Sequence, residues 1–189
     1  MPEALARTGD ETERPGGGED ERIVRAAAGG DEKATRELVS RHWDDAYRAA
    51  YLILGDGALA EDVAQEAFLA ALNSLGSFDV SRPFAPWLHR IAVNKAIDEV
   101  RAGGRRPPIA PESLVERGST TVEDAGLSPR IVAALETLDA TDRAIVVARY
   151  VLDYRATEIA EWLGVPDATV RSRLHRATNR LKAHMEENQ

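Results

Sequence analysis

The stretch that decides the fold is Thr157-Glu-Ile-Ala-Glu-Trp-Leu-Gly-Val-Pro-Asp-Ala-Thr-Val-Arg-Ser-Arg-Leu-His-Arg-Ala177. Ile159, Ala160 and Leu163 have the spacing of a short amphipathic helix. A turn follows at Gly164-Val165-Pro166, because Gly and Pro interrupt a helix. A second helical pattern begins directly after this turn. A helix, a Gly-containing turn and a further helix are typical of the helix-turn-helix motif.

The second of these helices has one apolar face and one polar face. At about 100° per residue, a narrow apolar stripe is formed by Val170, Leu174, Ala177 and Leu181. We predict that this stripe is buried. The opposite face collects small residues, hydrogen-bonding residues and a cation: Ala168, Ser172, His175, Arg176 and Asn179, with Thr169 and Arg171 on its flanks.

The chemistry of the polar face suits duplex DNA. Arg can bond the O6 and N7 atoms of guanine, and Ser or His can reach bases or phosphates. Since the N-terminal half of such a helix usually meets base edges, the residues predicted to contact DNA bases are Thr169, Arg171, Ser172, His175 and Arg176. We assign Arg173 and Arg180 to phosphates. A solvated basic face of an ordinary bundle is the alternative interpretation, but the preceding turn and the absence of acids from 168 to 184 disfavour it.

The rest of the chain also reads as helical. The predicted fold is all-α, with two small helical domains on a flexible linker and the helix-turn-helix in the second. Residues 1–22 are acidic and Gly-rich and are predicted to be a disordered tail. Residues 23–104 form the first domain, the Gly- and Pro-rich residues 105–127 the linker, and residues 128–189 the second domain. Asp31 and Asp139 are expected to cap helices.

One helix of the first domain has an unusual outer face. Its core side contains Val63, Ala67 and Phe68, whereas its other side combines acids and amides with one apolar residue: Asp62, Gln65, Glu66, Leu69 and Asn73. This face predicts a docking site with an apolar centre and an acidic rim, aimed at a basic partner. A single exposed Leu is also common without any function.

The next segment is basic and preceded by aromatic residues. Its helix alternates Leu88, Ile91 and Ala92 with polar residues, namely His89, Arg90, Asn94, Lys95, Asp98 and Arg101. Such a helix could hold DNA, and an aromatic loop before it could catch an unstacked base. The alternative is an amphipathic core helix with Phe84 and Trp87 as packing residues, and for Trp87 we favour this alternative.

Composition excludes several classes of protein. The chain of 189 residues has a net charge of −8 and no cysteine, so disulfide scaffolds and Cys-based metal sites are excluded. No partner at ligand spacing accompanies His175 or His184, and no phosphate-binding loop or nucleophile elbow occurs. No apolar run approaches the ~20 residues of a membrane span. We therefore expect a cytoplasmic protein without membrane insertion, catalytic residues, metal or cofactor.

At three segments together, 60–72, 87–101 and 157–177, the chain resembles the extracytoplasmic-function sigma factors of bacterial RNA polymerase. The match extends from about Ile23 to Ala183. The resemblance implies that Asp62, Gln65, Glu66, Leu69 and Asn73 dock on core RNA polymerase. It also implies that the second domain reads the −35 element of promoter DNA and that an anti-sigma factor regulates the protein.

The resemblance further implies the position of the −10 contacts. The loop from Gly76 to Phe84, with Ser77, Phe78 and Arg82, would capture a flipped base of the −10 element. The helix with Asn94, Lys95, Asp98 and Arg101 would lie along the same element. The net negative charge would then suppress stray DNA binding by the free subunit. The main alternative is a helix-turn-helix regulator without sigma activity, which explains residues 128–185 but not the first domain.

Overall fold

A computed structural model describes residues 17–103 and 129–187, with side chains placed from residue 20 and from residue 130. No strand occurs within these two ranges, and the all-α prediction is confirmed. The predicted linker 105–127 and the first part of the predicted tail lie outside the described residues. The helices are α1 Gly17–Ala28, α2 Glu32–Leu54, α3 Gly57–Ser74, α4 Phe84–Ala102, α5 Pro129–Glu136, α6 Ala140–Tyr150, α7 Ala156–Leu163 and α8 Asp167–Glu187.

Helix α1 begins earlier than the sequence predicts. The composition of residues 17–22 predicts part of a disordered tail, but the structure places them in α1. Tertiary contacts explain this difference, because Asp20 is buried and its Oδ2 lies 3.2 Å from Nε2 of His42. Ile23 and Val24 of α1 are buried in a hydrophobic cluster with Leu38 of α2. The acidic start of α1 is therefore held by a neighbouring helix.

Aspartates begin several helices, as expected for N-cap residues. The carboxylates of Asp31, Asp56 and Asp139 each accept a hydrogen bond from a backbone N–H in the first turn of α2, α3 and α6. Helix α2 ends at Gly55, whose φ of 72° places it in the left-handed region. The caps predicted at Asp31 and Asp139 are confirmed.

An aromatic cluster fills one end of the first domain. Phe84 is fully buried, and its ring lies 5.8 Å from that of Trp87 in an edge-to-face arrangement. Trp43 stacks on Phe68 at 5.8 Å. Aromatic pairs of this kind stabilise a core beyond the area that they bury. The predicted packing role of Trp87 is confirmed, and Phe84 packs beside it.

The two domains share part of their hydrophobic core. Helix α6 packs against α2 and α4, and Val147 of α6 joins a buried cluster with Ile53 and Val93. Two buried hydrogen bonds cross this joint. Nη1 of Arg143 donates to the carbonyl of Ile53 at 2.6 Å, and Nδ1 of His89 lies 2.8 Å from the hydroxyl of Tyr154.

Candidate nucleic-acid interface

Helices α7 and α8 form the predicted helix-turn-helix. Gly164 ends α7 with a φ of 65°, and its N–H bonds the carbonyl of Ala160. In α8, Val170 and Ala177 are buried while Leu174 and Leu181 are half-buried. The predicted apolar stripe is therefore confirmed, and the opposite face of α8 points to solvent.

The exposed face of α8 carries most of the residues predicted for DNA. Arg171, Ser172, His175, Arg176 and Arg180 are exposed, and Thr169 is half-buried. Local hydrogen bonds order several of these groups. The Ser172 hydroxyl donates to the Thr169 carbonyl at 2.9 Å, and Nε2 of His175 lies 3.2 Å from Nδ2 of Asn179.

Arg173 differs from the other cations of α8. Its Nε lies 2.5 Å from Oδ1 of Asp142, and its Nη2 lies 3.1 Å and 3.2 Å from the two carboxylate oxygens of Asp139. The Arg173 side chain is only 29% exposed. Burial opposes ionisation of Asp139, but the backbone N–H of Asp142 and the Arg173 charge together lower the pKa of the Asp139 carboxyl.

The sequence contains part of the signal for this cluster. Arg173 follows Val170 by three residues, so it flanks the buried stripe and turns toward the domain body. Two acids stand in the first turn of α6, which is where negative side chains are favoured. The sequence could not show that the two features meet, because 31 residues separate Arg173 from Asp142.

The outer face of α3 is exposed as predicted. All five of its singled-out residues are exposed, and Leu69, the apolar residue at its centre, is 60% exposed. The opposite side, with Val63, Ala67 and Phe68, is buried. Two members of the face have partners. Oε2 of Glu66 lies 2.8 Å from Nζ of Lys95 on α4, and Nε2 of Gln65 donates to Oε1 of Glu61 at 3.3 Å.

The loop before α4 is only partly available for a flipped base. Ser77 is exposed and its hydroxyl donates to the Ser74 carbonyl at 2.9 Å. Arg82 is also exposed, with its Nε 3.6 Å from Asp79. Phe78 is half-buried instead, because its ring stacks on Trp87 at 4.5 Å. Its ring is therefore engaged in packing in this structure.

Helix α4 places its predicted −10 residues beside the second domain. Asn94 and Lys95 are half-buried, whereas Asp98 and Arg101 are exposed. Nη1 of Arg101 lies 3.7 Å from Asp98, and Nη2 donates to the hydroxyl of Thr141 in α6 at 3.3 Å. This end of the α4 face thus contacts the helix-turn-helix domain.

Most of the cations predicted to bind DNA lie beside an acid of the same chain. In the first domain, Arg82 lies beside Asp79, Lys95 beside Glu66 and Arg101 beside Asp98. In α8, Arg171 lies beside Asp167, and Arg173 lies beside both Asp139 and Asp142. In contrast, Arg176 and Arg180 have no ion pair with any acid of the described chain. These two arginines therefore leave their charges open to a phosphate or a base.

The described ranges contain neither a cluster of metal-ligating side chains nor a membrane-spanning helix. Residues 17–103 and 129–187 contain no group of three or more His, Cys, Asp or Glu side chains that could hold a metal ion. Within them, no helix has the length and apolar character needed to cross a bilayer.

Known proteins resemble the chain over both domains. Residues 38–106 match the family Sigma-70 region 2, and residues 129–181 match Sigma-70, region 4. The ECF RNA polymerase sigma factor SigW of Bacillus subtilis is 32% identical over 172 residues, which are 82% of this chain and 91% of SigW. SigM of Mycobacterium tuberculosis is 33% identical over 162 residues, 86% of this chain and 82% of SigM.

A solved structure shows the same arrangement of helices. CnrH in complex with the cytosolic domain of CnrY superimposes with a TM-score of 0.69 and 29% sequence identity. The similarity covers 90% of this chain and 99% of CnrH.

Proposed function

Because the chain belongs to the extracytoplasmic-function family of RNA polymerase sigma factors, we propose that it binds core RNA polymerase and directs initiation at promoters recognised through −35 and −10 elements. One observation carries this proposal. The same chain presents an exposed helix-turn-helix face on α8 and, on α3, an acidic face centred on an exposed Leu69.

The −35 element is read by the exposed face of α8. Arg171, Ser172, His175 and Arg176 lie in its N-terminal half and face solvent, which is where a recognition helix meets base edges. Arg180 lies further along the helix and is suited to a phosphate. Thr169 orients Ser172 through the hydrogen bond to its carbonyl.

The −10 element is held by α4 and the loop before it. Ser77 and Arg82 are exposed at this loop and can contact a single strand. Phe78 can take part only if its ring leaves the stack on Trp87 or offers its free side. Arg101 and Lys95 must exchange their internal carboxylate partners for phosphates. Exchange is feasible because exposed ion pairs are worth only ~0–1 kcal/mol.

Internal pairing supports weak DNA binding by the free subunit. A phosphate gains less from a cation that already faces a carboxylate of its own chain, and each such carboxylate also repels the DNA. A band-shift experiment with the free protein is expected to show only weak, salt-sensitive binding. Tight binding by the free protein would contradict this expectation.

The two domains separate from each other when the protein binds a promoter. The −35 and −10 elements lie about 25 base pairs apart, which is roughly 85 Å of B-form DNA. A compact chain of this length has a radius of gyration of only roughly 16 Å and a diameter of roughly 40 Å. The closed arrangement seen here cannot cover both elements at once. Tethering of the opened domains on one polymerase then raises their effective concentration at the promoter.

Regulation by a protein partner is part of the proposal. The structurally similar CnrH is bound to the cytosolic domain of CnrY. A partner of this kind would cover the α3 face and keep the domains together. Since core RNA polymerase and promoter DNA are in the cytoplasm of a bacterium, the protein is expected to act there.

Docking on polymerase can be tested at Leu69. The Leu69→Asp substitution places a charge at the apolar centre of the α3 face, so co-elution with core polymerase should be lost. Met185→Asp is the matched control, because it also adds a charge at an exposed apolar residue. Both variants should keep wild-type helicity by circular dichroism, since neither side chain is buried. Unchanged co-elution of the Leu69 variant would refute this docking site.

The function itself is tested by transcription. Purified protein is added to sigma-free core polymerase with fragmented DNA of the source genome, and the RNA 5′ ends are sequenced. We expect new start sites that share two upstream elements and that are absent without the protein. If neither new starts nor co-elution with core polymerase is observed, the chain acts instead as a helix-turn-helix regulator without sigma activity.

A further inference from the structure

Arg173 lies on α8, and its role described here rests on the proposed function of α8 in reading the −35 element. Arg173 is the one cation of α8 that contacts another helix through two carboxylates. Its Nε and Nη2 atoms face different acids, Asp142 and Asp139 respectively. A guanidinium can bridge in this way because its N–H groups are fixed in a planar fork.

The two carboxylates are themselves part of α6. Asp139 is the N-cap, and its Oδ1 accepts the backbone N–H of Asp142 at 2.9 Å. The Asp142 side chain is only 13% exposed. Helix α6 is also held inside the second domain, because Ile145 is buried in one cluster with Ile159 of α7 and Val170 of α8. The bridge therefore ties the recognition helix to a helix that shares its hydrophobic core, and this contact does not depend on the joint with the first domain.

The position of the bridge along α8 matters for DNA reading. At 1.5 Å per residue, Arg173 lies within roughly 5 Å along the helix axis of Arg171 and Arg176. The apolar stripe limits how far α8 can move away from the core but permits sliding and rotation. A charged bridge beside this stripe fixes the rotation, and rotation decides which side chains point toward base edges.

The electrostatics of Arg173 argue against a phosphate contact. Two carboxylates lie within 3.2 Å of its guanidinium, so the local group has a net negative charge. Arg180 on the same helix is exposed and has no such partner among the described residues. A phosphate would therefore bind beside Arg180 rather than beside Arg173.

We propose that Arg173 is a positioning residue for −35 recognition, which sets the orientation of α8 through Asp139 and Asp142 instead of contacting the DNA backbone. Its removal should reduce discrimination between −35 sequences. The number of phosphates that the protein neutralises should stay the same.

The test compares holoenzymes that contain the full-length wild-type chain, Arg173→Lys, Asp142→Asn or Arg180→Gln. The DNA is a promoter found by mapping start sites, together with a copy that carries one base-pair change in its −35 element. Affinity is measured for both DNAs over a range of salt concentrations. Circular dichroism and thermal melting of each variant check that it is folded.

The two roles of Arg173 give opposite results. If Arg173 is a positioning residue, Arg173→Lys and Asp142→Asn each lower the affinity for the correct promoter by about fivefold or more. The ratio between the affinities for the correct and the altered promoter also becomes smaller, as it would after loss of a base contact. The dependence of log affinity on log salt keeps its slope. Lys fails because a point charge cannot bridge two carboxylates.

If Arg173 contacts a phosphate, Arg173→Lys stays near wild type because Lys also binds phosphate. Asp142→Asn then strengthens binding to both promoters, because it releases the guanidinium. That pair of results would overturn the proposal. Arg180→Gln is the reference for a phosphate contact, with a slope reduced by about 0.9. If the wild-type holoenzyme itself selected no promoter, the proposed function would fail rather than the role of Arg173.

Discussion

Arg143 joins the two domains, and its replacement by Met removes this join while keeping an unbranched side chain. In the structure Nη1 donates to the Ile53 carbonyl of the first domain at 2.6 Å. Nη2 donates to the carbonyls of Leu138 and Glu136 at 3.2 Å and 3.3 Å within the second domain. Arg143 is only 8% exposed. Burial lowers the pKa of its guanidinium, so the surrounding carbonyls stabilise a poorly hydrated charge.

The expected magnitude follows from the bond that crosses the joint. An unpaired buried carbonyl costs about 1–3 kcal/mol, and Ile53 would have such a carbonyl in the Arg143→Met variant. Part of this loss is offset because closing the joint no longer removes water from a charge. A net loss of about 2 kcal/mol corresponds to roughly 30-fold less of the closed form relative to the open form.

Domain separation can be followed with two dyes, because the natural sequence contains no cysteine. Cysteines at the exposed positions Asn73 and Lys182 carry a donor and an acceptor, and energy transfer is measured during a urea titration. The Arg143→Met variant should separate at about 1 M less urea than the wild type. Arg90→Met is the control, since Arg90 is exposed on α4. If the Arg143 variant and the control separated at the same urea concentration, the joint would not depend on this bond.

Three further perturbations test other parts of the structure. Arg176→Ala should weaken promoter binding by ~1–3 kcal/mol at one −35 base pair; an equal loss for every sequence would make Arg176 a phosphate contact. Burial lowers the pKa of His42 below 6.5, so as the pH falls the unfolded chain takes up this proton before the folded chain does. The free energy of unfolding should therefore fall as pH drops from about 7.5 to about 5.5, and it should fall less steeply in His42→Gln. Parallel profiles of the two proteins would show that His42 does not cause the pH dependence. In denaturant titrations, Gly55→Ala and Gly30→Ala should destabilise the protein by similar amounts, because both positions have positive φ. A Cβ at Gly55 would lie 2.8 Å from Oε1 of Glu136, but this atom is the end of an exposed side chain that can turn away; a clearly larger loss at Gly55 would show that Glu136 cannot move.

The sequence was sufficient for features that depend on neighbours along the chain. The helix-turn-helix follows from apolar spacing around Gly164, and the stripe of α8 follows from its period. Asp31 and Asp139 were recognisable as caps because a short acidic side chain before an amphipathic run satisfies free N–H groups. The exposure of Leu69 was also predictable, since it lies opposite the apolar side of α3.

The tertiary structure alone decided which charged and polar groups meet. The pattern of α4 predicts that His89 lies on the polar side of the helix, yet His89 is buried and bonded to Tyr154 of the second domain. Asp20 reads as part of an acidic tail, yet it is buried against His42. Arg173 reads as a phosphate ligand, yet it faces Asp139 and Asp142. Periodicity fixes which side of a helix is apolar, but the partner of a polar side chain depends on how distant helices pack, and a local pattern carries no record of that.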